Sequence, residues 1–107
     1  MPAHVNPFSV VFPDWYNECA AYEAAAKGWL HGVEVHLDDG SRIQLEFYDP
    51  VRLQQTIDDD LHAGRTCFAI PGLIVIPDVT TAEIQRAVAE LFEAGFFRPS
   101  SHCFAQD

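Results

Sequence analysis

A chain of 107 residues has room for one core, and with 49% hydrophobic and 12% aromatic residues it fits neither wholesale disorder nor a fold that needs disulfide or metal staples. Six Lys and Arg stand against sixteen Asp and Glu, a formal net charge of -10, so the concentrated basic surface that nucleic acid or an anionic membrane demands is missing. Cys19, Cys67 and Cys103 are widely spaced without a C-x-x-C pair, and the first residues show no basic-then-apolar leader, which makes a cytoplasmic protein the expectation.

One domain over residues 7–97 is expected, with residues 1–6 and 98–107 as tails. Residues 8–12 lie between Pro7 and Pro13, so any strand there belongs at a sheet edge. From Asp14 the spacing of Trp15, Cys19, Tyr22 and Ala26 predicts a helix that closes at Gly28, with Asp14 as N-cap and Trp15 and Tyr22 on its buried stripe. Val33, Val35 and Leu37, then Ile43, Leu45 and Phe47, alternate with polar residues and predict a hairpin. Opposed residues share a face, so a three-residue loop of Asp38, Asp39 and Gly40 is required; it pairs Val35 with Ile43 and sets His36 opposite Arg42.

Asp49-Pro50 announces a second helix ending near Gly64. Its apolar stripe, Leu53, Ile57 and Leu61, is narrow, which predicts a helix on the outside of the fold. Residues 66–70 and 73–76 flank Pro71-Gly72 and are apolar on both faces, predicting two strands covered on both sides. The last helix has a Thr80/Glu83 capping box, a Val79/Ile84 staple, a broad apolar stripe, and a Schellman close at Gly95 and Phe96. Together these elements give an α+β fold of order α-β-β-α-β-β-α, with a four-stranded, mostly antiparallel sheet packed by helices.

Three groups of residues are candidates for chemistry. Asp58, Asp59 and Asp60 crowd the negative end of the second helix dipole. Consecutive helical carboxylates diverge by about 100° per residue and do not close on one metal ion, so the run reads as a solvated face or a docking surface for a basic partner. His62 shares a helix face with Asp58. Catalysis would need His36, His62 or His31 to converge with Cys67, which is expected as a buried, inert thiol that reacts more slowly than Cys103. His102 and Cys103, with His4 at the other end, are too few for a structural zinc site without further ligands. The six glycines are scattered singly, so no phosphate-cradling loop is present and no cofactor is expected. The leading expectation is a non-enzymatic interaction module that engages a basic protein or a copy of itself; the alternative is a small enzyme or ligand-binding domain using His36, His62 or Cys67 in a helix–sheet cleft.

Overall fold

The computed structural model describes residues 7–97; the tails, with His4, His102, Cys103 and Phe104, lie outside the described residues. The elements are β1 (Phe8–Val11), α1 (Glu18–Lys27), β2 (Trp29–Leu37), β3 (Arg42–Tyr48), α2 (Pro50–His62), β4 (Leu73–Val75) and α3 (Thr81–Glu93). The strands form one sheet in the order β1-β2-β3-β4, with the first two pairings antiparallel and the third parallel. The α+β class and the four-stranded, mostly antiparallel sheet therefore stand, with three helices among the described residues.

The hairpin has the expected register: Val35 faces Ile43, Val33 faces Leu45 and His36 faces Arg42. Gly40 closes the loop with a φ of 92°, and its N–H donates to the Leu37 carbonyl. Asp39 braces the turn by accepting from the backbone N–H and the hydroxyl of Ser41, at 2.8 and 2.6 Å. Those bonds hold the Asp39 carboxyl below its ordinary value, the hydroxyl contributing most.

Further back along β2 the register shifts between Leu30 and Val33. His31 and Gly32 together oppose one residue of β3, a bulge that lets even-numbered Leu30 and odd-numbered Val33 both face inward. Leu30, Val33, Val35, Leu45 and Phe47 thus form one apolar face, and Ile84 and Val88 of α3 join them in the buried cluster. Thr80 caps α3 by accepting from the Glu83 N–H at 3.2 Å, and both staple residues, Val79 and Ile84, are fully buried. At the other end, the Phe96 N–H donates to the Leu91 carbonyl and the Gly95 N–H to that of Phe92, the two bonds of a Schellman close. Phe97, rather than Phe96, then enters the core.

Two expectations are corrected. Residues 66–70 form no strand; the remaining strand is β1, at the edge that its flanking prolines allow. β4 pairs in parallel with β3, which obliges the chain to travel back along the sheet before entering it. A seven-residue β3 is about 23 Å long and a thirteen-residue α2 about 20 Å, so α2 makes most of that return and residues 63–72 complete it as irregular chain. Cys67, on this connection, is exposed and not buried.

The second correction concerns α1, which begins at Glu18 with Asn17 as its cap, Oδ1 accepting from the Ala20 N–H at 2.8 Å. Asp14 and Trp15 lie in a turn closed by the Tyr16 N–H and the Pro13 carbonyl. The Tyr16 hydroxyl shares a 2.7 Å hydrogen bond with that of Thr81 at the start of α3. This long-range tie fastens the turn that precedes α1 to the start of α3. Trp15 and Tyr22 are exposed, and Ala24 is the residue α1 buries.

Two glycines separate backbone strain from steric fit. A side chain at Gly40 would meet open space, whereas at Gly72, whose φ is 75°, it would strike the Gln44 carbonyl where β4 comes against β3. Gly40→Val is expected to cost about 1 kcal/mol or a little more through φ alone. Gly72→Ala is expected to cost distinctly more, about 2–4 kcal/mol, since backbone must also move. Denaturant unfolding of the two variants checks the order; equal losses would contradict it.

Candidate interaction surface

The sheet face opposite the core carries Glu34, His36, Arg42, Gln44, Glu46, Trp29 and Tyr48, by alternation from the buried residues. It is covered only in part. Arg52, in the first turn of α2, extends its guanidinium over the Trp29 ring, 5.8 Å from the centroid. Tyr48 is buried next to it, and burial pushes its phenol above the ordinary value, with Glu46 and Asp60 adding to the shift and Arg52 opposing it.

No residue of α2 is fully buried. Its half-buried positions are Arg52, Leu53, Thr56, Ile57 and Asp60, a mixed face on which three of five side chains are polar. Val51 is 68% exposed and Leu61 49%. Leu53 and Ile57 of the apolar stripe are half-buried and Leu61 is exposed, and none of the three takes part in the buried cluster. Val75 on the edge strand is also exposed.

The acidic run divides around the helix. Asp58 and Asp59 are exposed, Asp58 accepting from the Gln54 amide at 3.0 Å. Asp60 turns inward, its carboxylate 4.0 Å from the Arg65 guanidinium. His62 closes the helix end with Nδ1 2.8 Å from the Asp58 carbonyl. A second Schellman close, Arg65 N–H to Asp60 carbonyl and Gly64 N–H to Leu61 carbonyl, completes α2.

The residues considered for catalysis stand in different settings. His36 lies on the outer sheet face, Nε2 2.7 Å from Glu34 Oε1, an ion pair when the imidazole is protonated. His62 is on α2, and Cys67 on the exposed connection after it. None of the three lines any of four clefts on the described surface. Among the described residues, no group of three or more His, Cys, Asp or Glu is arranged to hold a metal ion, and no helix is long and apolar enough to cross a membrane.

His31, by contrast, lines two clefts, one with Trp15 and Trp29 and the other with Gln44, Glu46 and Ile70. Its ring stacks on Trp29 at 5.0 Å and lies 5.5 Å from that of Trp15. Arg52, Trp29, His31 and Trp15 so continue the α2 surface toward α1 as a row of planar groups. Sequence reasoning missed this row, because the bulge that turns His31 outward depends on tertiary pairing. Gly32 before an alternating strand was its only local sign. No protein-family model matches the chain, and neither a curated protein nor a solved structure matches it.

Two outcomes are expected at this surface. The bond from His36, with help from Gln44, holds the Glu34 carboxyl below its ordinary value, so its contribution is present above the unfolded-state midpoint and lost as pH falls through the lower folded one. NMR titration should find that low midpoint, and His36→Ala should raise it; an unchanged midpoint would remove the pair. Native Cys67 and Cys19 are both exposed and should label promptly with a thiol reagent. Labelling of Cys67 only after unfolding would contradict its position.

Proposed function

We propose that this protein is a non-enzymatic interaction module whose α2 side engages a basic protein partner. The observation that carries the reading is a thirteen-residue helix that is nowhere fully buried and leaves two large apolar side chains, Val51 and Leu61, open to solvent. Apolar surface rimmed by charge is the usual character of a docking face. Asp58 and Asp59 stand beside it at the helix end where the dipole opposes them, a local conflict that folding alone does not require. With a net charge of -10, attraction to a basic partner accelerates encounter, and two copies of the chain repel each other. The reading assigns the protein to the cytoplasm, where thiols such as Cys19 and Cys67 stay reduced.

Quantitative capture from the native cell with three baits tests it: wild type, Val51→Ser/Leu61→Ser, and Asp58→Asn/Asp59→Asn. Both variants should remain folded, as all four positions are exposed. A set of basic proteins should be retained by wild type and reduced at least about fivefold on the apolar variant, in line with losing two partly buried anchors. The Asn variant should show slower association and weaker salt dependence. Identical retention by all three baits, or a dimer of the wild type in sedimentation, would contradict the reading.

A further inference from the structure

The row of planar groups ends in a cleft of about 310 Å³ between α1 and the start of β2, lined among others by Trp15, Glu23, Lys27, Trp29 and His31. Trp15 is 50% exposed and absent from the buried cluster, and its aromatic neighbours are Tyr16 and His31. A half-exposed tryptophan beside a cleft is the side-chain type that dominates binding energy at interfaces. The charges around it are mostly acidic, with Asp14 next to it in sequence and Glu18 and Glu23 exposed on α1; Lys27 is the one opposing cation in the lining. At its inner end the same row already holds a guanidinium, that of Arg52 over Trp29.

We propose that this cleft receives an arginine side chain presented by the basic partner, its guanidinium lying on the open face of Trp15 and paired with the Glu23 carboxylate. This rests on the reading that the partner is basic, and adds where and by which residue it is recognised. Arginine fits better than lysine. Its guanidinium is planar and weakly hydrated, so it stacks on an indole while its edge keeps N–H groups for a carboxylate, whereas an ammonium must shed a tightly held water shell to make the same contact. Lys27 repels any cation, but Glu23, four residues before it on the same helix face, offsets its charge, and Asp14 and Glu18 add carboxylates outside the lining.

The test uses the full chain and two peptides, an acetylated Gly-Arg repeat with three arginines and the same peptide with lysines, read by tryptophan emission. The chain has two tryptophans, so Trp29 still reports when Trp15 is replaced. The arginine peptide should give a saturable change and bind at least about fivefold tighter than the lysine peptide at physiological salt. Trp15→Ala should abolish that preference, Trp15→Phe should keep part of it, and Glu23→Gln should weaken arginine binding several-fold. Asp58→Asn/Asp59→Asn should leave the preference intact. Equal binding of the two peptides, or a preference that survives Trp15→Ala in a variant whose melting is unchanged, would overturn the proposal. Such a failure with the apolar α2 variant still losing its partners would condemn the cleft and spare α2; the opposite pattern would spare the cleft.

Discussion

The parity of the β2–β3 hairpin organises everything else in this molecule. Because the three-residue loop pairs odd positions with odd ones, and the bulge at His31 and Gly32 brings Leu30 back into phase, the aliphatic side chains of the hairpin and Phe47 reach one face. That face binds α3, whose Ile84 and Val88 are completely buried against it. A slip of one residue would turn Val33, Val35, Leu45 and Phe47 to the opposite side, and no helix there has an apolar face wide enough to receive them.

Such one-sided economy leaves the other face to α2, and α2 serves two demands that pull apart. As the crossover between parallel β3 and β4 it must return the chain along the sheet, which fixes its length and position. As a packing element it offers Arg52, Thr56 and Asp60 to the fold as much as Leu53 and Ile57. The result is a helix held at its N-terminal end by the Asp49 cap and by Arg52 on Trp29, with apolar surface left over along its flank. Local stability is therefore expected to be greatest in the hairpin and α3 and lower on the α2 side, where no residue is fully buried. A face of low local stability suits docking, since the partner supplies the missing packing.

How far the sequence could be read depended on whether a cue was local. The hairpin loop, the positive φ of Gly40, the Thr80 cap and the Gly95 close are decided within a few residues, and the structure has them as expected. Residues 66–70 looked like a strand because their side chains are apolar on both faces, but no described strand pairs with them, and they serve as the last part of the return from β3 to β4. Asp14 is as good a cap by composition as Asn17; in the structure Asn17 caps α1, and Asp14 lies in the preceding turn, next to which Tyr16 is tied to Thr81, 65 positions away in the chain. The same dependence hid the surface. The acidic run and the narrow α2 stripe were legible, whereas the row from Arg52 through Trp29 and His31 to Trp15 exists only once the bulge and the displaced start of α1 are in place.

Everything proposed for this surface depends on α2 being an incompletely covered element on a fold whose core is the β2–β3 face and α3. Native-state hydrogen exchange of the isolated protein measures this directly, residue by residue. Amides of α2 should exchange through openings at least about 2 kcal/mol cheaper than those of β2, β3 and α3, which should open only with global unfolding. Protection of α2 equal to that of β2 would mean that its stripe is covered within the monomer, and would contradict an open docking face.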